Sequence, residues 1–250
     1  MKIISLYSTK GGVGKTAAAV NLAYLSSVEG LQTLLWDLDI QSSSTFYFRV
    51  KPILKGGSEK ILEKENFIKK NIKATNYNNL DIIPSDFSLK DIENILRETK
   101  KSKKKFKHLF NDLSDFYDVI IIDCPPGFNI LSEYIISLSD IILSPLIPTT
   151  LSIRAYDILN ENIKNIIDNE FDFYLFFSMV DSRKKMHKSI MTSFPLSNKN
   201  CLKSYIPYSS IIEKMGEFRA PVAIMSPGST PDMCYKSLWQ EVNSLIKKSL

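Results

Sequence analysis

The sequence predicts an α/β fold: a doubly wound, mainly parallel β-sheet flanked by helices on both faces. Two observations support this prediction. Apolar runs too short for helices alternate along the chain with longer segments whose apolar residues recur at helical spacing. Within the short runs the apolar residues follow one another, which is typical of strands covered on both faces. A sheet of this type binds its ligands at the carboxyl ends of the strands.

The predicted strands are rich in β-branched and aromatic residues. They are IISLYS at 3–8, TLLWDLD at 33–39, LDIIPS at 80–85, DVIIIDCPP at 118–126, DIILSPL at 140–146 and FYLFFSMVD at 173–181. Helical spacing predicts helices at 17–28, 89–116, 131–138, 153–167 and 232–248. The part from residue 48 to 79 is less regular: Pro52, Gly56 and Gly57 indicate loops, and a helix is predicted at 59–70.

Length and composition predict one domain that spans residues 1–250, with 44% hydrophobic and 24% charged residues. The chain has no apolar run of membrane-spanning length and no leader-like start, so we expect a cytoplasmic protein. Three cysteines, Cys124, Cys201 and Cys234, lie far apart and suggest neither a disulfide framework nor a metal cluster. The net charge of +5 permits an anionic partner and is equally compatible with plain solubility.

The most informative segment is SLYSTKGGVGKT at 5–16, which follows the first strand and opens the first helix. In this context glycines let the backbone wrap around phosphate oxygens, while N–H groups and the helix dipole face the negative charge. We expect Lys15 to contact the β- and γ-phosphates and the Thr16 hydroxyl to bind Mg²⁺. The candidate nucleotide-binding residues are Lys10, Gly11, Gly12, Val13, Gly14, Lys15, Thr16 and Ala17.

This loop departs from the strict pattern GxxxxGK[ST], because Thr9 stands at the first glycine position and Lys10 follows it. The loop therefore carries two lysines, Lys10 and Lys15, although one is sufficient to bind phosphate. The residues alone do not assign a role to Lys10.

Acidic residues end two of the predicted strands. Asp37 and Asp39 close the second strand, and four apolar residues lead into Asp123, in the form of a Walker B strand. At one edge of the sheet these carboxylates could reach the shell of Mg²⁺ or orient an attacking water. An aspartate in this position can also merely cap the following helix.

Together these motifs resemble the ParA/MinD family of deviant Walker A ATPases, and within it the short ParA/Soj partition ATPases. The resemblance rests on KGGVGKT, DLDIQ, DCPPG, IPY at 206–208 and PDMCYKSLWQEV at 231–242, and it spans the chain from Lys2 to about Val242. It implies a P-loop ATPase that uses ATP and Mg²⁺, forms a homodimer in the ATP state and is stimulated by a ParB-like or other adaptor protein.

The resemblance also implies roles for individual residues. Lys10 would cross the dimer interface to the partner subunit's phosphates, Asp39 would position the hydrolytic water, and Asp123 would be the Walker B acid. Met179, Asp181 and Pro207 would lie at the adenine pocket. Hydrolysis should be slow without the partner protein, because no strong general base other than a carboxylate is present.

Some departures from the family pattern concern nucleotide-binding motifs, and others concern positions that contact DNA in relatives. Ile40 stands in place of a usual proline, and Ala17 in place of a usual hydroxyl residue. Tyr208 and Ile211 occupy positions that are often arginine in DNA-binding relatives. These last two leave open whether the chain keeps the usual DNA footprint.

Two basic runs are candidate DNA contacts, because non-specific DNA binding requires clustered lysine and arginine. The first run is DSRKKMHKS at 181–189, which contains Arg183, Lys184, Lys185 and Lys188. The second, KKSKKKFKH at 100–108, lies in a predicted helix and is as readily explained as a solvated helix face. From these features we expect partitioning or positioning of plasmid or chromosomal DNA, or of another large cargo.

The alternative function is a membrane-surface spatial regulator similar to MinD, which would require an amphipathic helix at the carboxyl terminus. The segment SLWQEVNSLIKKSL at 237–250 has such spacing. Packing of its apolar stripe in the core is the better interpretation, so we expect membrane binding to be absent.

Overall fold

The computed structural model describes residues 1–62, 67–111, 113–166 and 172–248. The strands are β1 Lys2–Leu6, β2 Thr33–Asp37, β3 Lys73–Ala74, β4 Leu80–Ile83, β5 Val119–Asp123, β6 Ile141–Leu146, β7 Asp172–Val180 and β8 Cys201–Pro207. They form one sheet in the order β3-β4-β2-β5-β1-β6-β7-β8, in which β3 pairs antiparallel with β4 and the other pairs are parallel. The predicted fold class, α/β with a doubly wound and mainly parallel sheet, is confirmed.

Helices cover both faces of this sheet. They are α1 Lys15–Val28, α2 Ser43–Tyr47, α3 Phe67–Asn71, α4 Ile92–Glu98, α5 Ser102–Asn111, α6 Ile130–Leu138, α7 Thr150–Ile166, α8 Lys185–Ser197, α9 Ser210–Glu213, α10 Met215–Phe218, α11 Val222–Met225 and α12 Thr230–Lys248. Short 3-10 turns occur at Ser58–Lys60 and Phe87–Asp91. Within the described residues, none of these helices is both long and apolar enough to cross a membrane.

The position of the central strands between two helical layers explains why their sequences are continuously apolar. All five residues of β5 are buried. Ile120 and Ile122 belong to the hydrophobic cluster on one face of the sheet, whereas Val119 and Ile121 belong to the cluster on the other face. Because successive side chains of a strand point to opposite faces, a strand between two helical layers needs apolar residues at every position.

The register of the central strands places the acidic motifs together. Asp123 at the end of β5 pairs with Leu6 of β1 on one side and with Asp37 of β2 on the other. The loop between β1 and α1 begins at this same edge. Parallel pairing therefore brings the glycine-rich loop and the strand-ending acids to one end of the sheet, as the sequence predicted.

The long helix predicted at 89–116 is wrong. The structure has a 3-10 turn followed by α4 and α5, with a break from Thr99 to Lys101. Thr99 has an extended conformation and Lys101 lies in the left-handed region at φ 58°. A left-handed residue cannot continue a right-handed helix, and no glycine or proline marks this break in the sequence.

Other differences concern segments with weak periodicity. The sequence did not indicate β3, β8 or α8; β8 is an edge strand whose residues are mostly half-exposed. For the helix predicted at 59–70, the structure describes a 3-10 turn at Ser58–Lys60 and α3 at Phe67–Asn71, and residues 63–66 of the predicted helix lie outside the described residues. The helix predicted at 153–167 begins earlier, at Thr150, and residue 167 also lies outside the described part.

Candidate functional site

The glycine-rich loop joins β1 to α1 and depends on glycine at two positions. Gly12 has a φ of 70°, and Gly14, which caps the amino end of α1, has a φ of 95°. A Cβ atom at Gly14 would lie 2.8 Å from the Ser178 Oγ atom of β7. Gly12 and Gly14 thus have left-handed backbones, and Gly14 packs directly against Ser178 of β7.

Substitution of Gly14 by alanine should therefore disturb the loop and the fold together. We expect the free energy of unfolding to fall by about 1–3 kcal/mol, because the alanine would be strained at positive φ and would collide with Ser178. Chemical denaturation measures this change. Gly11→Ala is the matched control, since a Cβ atom at Gly11 meets nothing within 4 Å. Equal stability of Gly14→Ala and wild type would contradict the prediction.

The two lysines of the loop have different surroundings. Lys15 is 6% exposed, and its Nζ atom donates a hydrogen bond to the Lys10 carbonyl oxygen at 3.2 Å. Burial lowers the pKa of Lys15, and the nearby charges of Asp123, Cys124 and Asp39 act in the opposite direction. Lys10 is half-buried, and its ammonium forms no ion pair with any acid of the described ranges.

Asp37 and Asp123 are direct neighbours across β2 and β5, and both are fully buried. The Asp37 Oδ2 atom accepts hydrogen bonds from the Thr45 N–H at 2.8 Å and the Thr45 hydroxyl at 2.7 Å, and Oδ1 accepts from the Asp39 N–H at 3.2 Å. The Asp123 Oδ2 atom accepts from the Ser44 hydroxyl at 2.7 Å. The Asp123 Oδ1 atom is buried and has no hydrogen-bond partner.

Burial raises the pKa of both carboxyl groups. The charge of Asp123 raises the pKa of Asp37 further, while the Ser44 hydrogen bond and the nearby Thr16 hydroxyl lower the pKa of Asp123. A buried carboxylate oxygen without a partner is costly unless a cation or donor joins it. The Asp123 Oδ1 atom, with the Thr16 hydroxyl beside this carboxylate, therefore fits a hard cation that binds oxygen ligands.

This donor set suits Mg²⁺ better than a metal that needs an all-protein cage. Mg²⁺ usually keeps several waters and takes one or two carboxylates in addition to phosphate oxygens. In the described part of the chain, no three histidine, cysteine, aspartate or glutamate side chains converge into a metal-binding group. Of the two buried acids, Asp37 has both oxygens engaged by protein donors, and only Asp123 keeps one oxygen free.

Asp39 lies just beyond the end of β2 and is half-buried. Its main-chain carbonyl accepts hydrogen bonds from the Ser85 hydroxyl at 2.6 Å and the Ser42 N–H at 2.8 Å. Its carboxylate Oδ1 atom accepts from the Gln41 N–H at 2.9 Å. The position of Asp39 is thus fixed mainly through its backbone.

Three hydroxyl residues around these acids were missed by the sequence reasoning. Ser44 and Thr45 of α2 fasten Asp123 and Asp37, and the Ser85 N–H donates to the Thr45 Oγ1 atom at 3.0 Å. The run SSST at 42–45, immediately after the acids, was the available signal for the first two. Ser85 follows β4 and reaches the site only through the fold.

Removal of the Thr45 hydroxyl should destabilise the protein. Thr45→Val takes a donor from the buried Asp37 carboxylate and an acceptor from the Ser85 N–H. We expect the free energy of unfolding to fall by about 1–3 kcal/mol, the usual cost of leaving buried polar groups without their hydrogen-bond partners. Urea denaturation measures this loss, and Thr45→Ser, which keeps the hydroxyl, is the control. If Thr45→Val proved as stable as wild type, the hydrogen-bond assignment would be wrong.

The residues predicted for the adenine pocket lie at the carboxyl ends of β7 and β8. Met179 has a left-handed backbone with a φ of 53° and follows Ser178, which contacts the loop. Pro207 pairs with Val180. The Asp181 carboxylate accepts hydrogen bonds from a neighbouring arginine. The structure brings these residues to the same edge as the loop.

That arginine is Arg183, the first of the predicted DNA contacts. Its Nε and NH2 atoms donate to the two Asp181 carboxylate oxygens, both at 2.9 Å, and these bonds hold the pKa of Asp181 well below its usual range. Lys184, Lys185 and Lys188 lie exposed at the amino end of α8. The guanidinium of Arg183 therefore has a charge partner within its own chain, whereas the three lysines have none among the described acids.

Comparison with known proteins identifies the family of the chain. The AAA domain family AAA_31 matches residues 1–174. The virulence plasmid ParA family protein pGP5-D of Chlamydia psittaci is 31% identical over 192 residues, which cover 76% of this chain and 74% of that protein. The sporulation initiation inhibitor protein Soj of Bacillus subtilis is 28% identical, with coverage of 96% and 98%.

A solved structure shows the same fold. The plasmid partition protein of Borrelia burgdorferi B31 bound to AMPPNP superimposes with a TM-score of 0.84 at 23% identity, over 97% of this chain and 98% of that chain. The family match covers more than half of the present chain, and the glycine-rich loop and the strand-ending acids lie within it. The chain therefore belongs to the ParA/MinD family of P-loop ATPases.

Proposed function

We propose that the protein is an ATPase that dimerises when it binds ATP and that partitions or positions DNA or another large cargo. In this proposal the ATP dimer binds non-specific DNA and lies on the nucleoid, and a ParB-like or other adaptor protein stimulates hydrolysis. The observation that carries the proposal is the arrangement of the two loop lysines. Lys15 is buried within its own site, whereas Lys10 has no charge partner among the described residues.

The nucleotide would be held mainly by main-chain groups. The N–H groups at the amino end of α1 would face the phosphates, and Lys15 would add a positive charge. Mg²⁺ would be held by the Thr16 hydroxyl and the free oxygen of Asp123, and when bound it neutralises phosphate charge. Asp39 would orient the attacking water. Met179, Asp181 and Pro207 would border the adenine base.

The surface beside the loop supports the dimer. A groove of about 330 Å³ is lined by Thr9 of the loop, by Phe128 and by residues of α7 that include Ile158. Phe128 is 39% exposed and Ile158 is 51% exposed. Contiguous exposed apolar surface of this kind often marks a site of protein–protein contact. A second copy of the chain, brought there by Lys10, would cover this groove.

The membrane-surface alternative receives no support from α12. Leu238, Trp239 and Val242 are at most 1% exposed and belong to the hydrophobic cluster that also contains α1 residues. The apolar stripe of the helix is therefore used in packing and is not available to a lipid surface.

Sedimentation with ADP and with ATP tests the proposal. We expect a monomer with ADP and a dimer with ATP, and we expect binding to random-sequence duplex DNA only in the dimeric state. The Asp39→Ala variant serves to hold the ATP state during the DNA titration. A monomer under both nucleotides would refute the dimerising function, whereas a dimer without DNA binding would refute only the DNA-binding step.

A further inference from the structure

A dense group of lysines covers the outer face of α5. Residues 100–107 contain six lysines, and no acidic residue occurs from 99 to 111. All six are exposed. Lys103, Lys104, Lys105 and Lys107 lie on α5, and Lys100 and Lys101 directly precede it; we call the six together the α5 lysine face.

The inner face of α5 is fixed firmly to the sheet. Phe106 and Phe110 are buried, and their rings lie 5.9 and 5.4 Å from the ring of Trp36. The Ser102 Oγ atom and the Tyr134 hydroxyl are hydrogen-bonded at 2.8 Å. The helix therefore cannot turn its apolar side outward, and its charged side has a fixed direction. Trp36 directly precedes Asp37, so this anchor belongs to the strand that leads into the candidate site.

The lysines of this face have no ion-pair partner among the described acids. None of the six lysines forms an ion pair with an acid in residues 1–62, 67–111, 113–166 or 172–248. Arg183, the leading residue of the other basic run, is instead bound through two hydrogen bonds by Asp181. The two basic runs therefore differ in number: the α5 lysine face presents six lysines without an ion-pair partner among the described acids, whereas the other run presents three.

We infer that the α5 lysine face is the docking surface for the phosphate backbone of duplex DNA. Duplex DNA carries about one negative charge per 1.7 Å of its axis, so a row of lysines on one rigid helix meets several phosphates at once. Lysine side chains bind phosphate as flexible point charges and provide no base readout, which suits non-specific binding. This inference rests on the proposed function, in which the ATP dimer binds DNA.

The structure favours DNA over a lipid surface as the occupant. Amphipathic helices bind membranes by inserting apolar side chains between lipid headgroups. On α5 the apolar side chains Phe106 and Phe110 are at most 2% exposed, and Leu109 packs partly buried against the core, so the helix has no exposed apolar stripe for insertion. The exposed side of α5 carries mainly lysine charge. Electrostatic attraction supplies nearly all of non-specific DNA binding.

The test compares two matched triple variants. One is Lys103→Gln, Lys104→Gln and Lys107→Gln on the α5 lysine face, and the other is Lys184→Gln, Lys185→Gln and Lys188→Gln on α8. Both remove three charges and preserve helix propensity. The probe is a random-sequence duplex, titrated with ATP across a salt series. A third variant, with Lys→Arg at the same α5 positions, keeps the charge.

We expect the α5 glutamine variant to lose at least about tenfold in DNA affinity and to flatten the salt dependence by about 2 to 3 in log–log slope. The α5 arginine variant should stay within about twofold of wild type at the same salt, and the α8 variant should lose clearly less affinity than the α5 glutamine variant. ATP-dependent dimerisation should be unchanged in all three, which shows that each one is folded.

The other outcomes are distinguishable. If wild type binds DNA and the α5 glutamine variant binds equally well, the inference is overturned and the proposed function stands. If wild type dimerises with ATP but binds no DNA, the DNA-binding step of the proposed function fails together with the inference. Binding of wild type to phosphatidylserine-containing vesicles instead of DNA would overturn the choice of DNA and identify the face as a lipid-headgroup surface.

Discussion

Asp39→Ala is expected to lower the rate of ATP hydrolysis by about 10²- to 10⁴-fold, the usual effect of losing a group that handles the proton of the attacking nucleophile. ATP binding and dimerisation should survive. Asp39 is held through its main-chain carbonyl, which accepts from Ser85 and Ser42, and alanine keeps both bonds. The variant should therefore accumulate as an ATP-bound dimer. Single-turnover phosphate release and sedimentation with ATP measure the two effects.

Asp39→Asn is the control for this result. Asparagine keeps an oxygen that can accept the Gln41 N–H but lacks the negative charge. If both variants lose hydrolysis equally, the carboxylate charge is responsible rather than the local turn. Hydrolysis at the wild-type rate by Asp39→Ala, or failure of that variant to dimerise with ATP, would remove Asp39 from the proposed mechanism.

The parts of the fold that could be predicted are those encoded by local order. The strand, glycine-rich loop and helix from Lys2 to Val28 are consecutive in the chain, and the buried run before Asp123 requires a strand in the middle of the sheet. The break before α5 could not be predicted, because Lys101 adopts its left-handed conformation without a glycine, an asparagine or a proline nearby.

The candidate site shows the same limit. The sequence predicted the positions of Asp37, Asp39 and Asp123 because they lie at or just after the ends of strands. The hydrogen bonds of their carboxylates, however, depend on residues that are distant in sequence. Ser44 reaches Asp123 across the β2–β5 edge, and Ser85 reaches both Thr45 and the Asp39 carbonyl. Only the folded structure distinguishes the fully bonded Asp37 from Asp123, which keeps a free oxygen. Likewise, sequence alone could not show that Asp181 accepts two hydrogen bonds from the Arg183 guanidinium.

Lys10→Ala is expected to abolish ATP-dependent dimerisation and to lower the stimulated rate of hydrolysis by about 10³-fold or more, as for loss of a cation supplied across an interface. Binding of ATP by the monomer should persist. The contact that Lys10 makes to Lys15 uses its main-chain carbonyl, and its contact to Ser8 uses its main-chain N–H, so alanine preserves both. Sedimentation with ATP measures the dimer, and titration with a fluorescent ATP analogue measures nucleotide affinity.

Two further variants separate the roles of the loop lysines. Lys10→Arg keeps the positive charge and should retain part of the dimer, because a guanidinium can also bind phosphate. Lys15→Ala removes the buried lysine that lies within its own site, so it should weaken ATP binding already in the monomer. Loss of the dimer with intact nucleotide affinity is therefore specific to position 10. If Lys10→Ala dimerised like wild type, or if it lost ATP affinity to the same extent as Lys15→Ala, Lys10 would belong to its own site and the argument for a shared interface would fail.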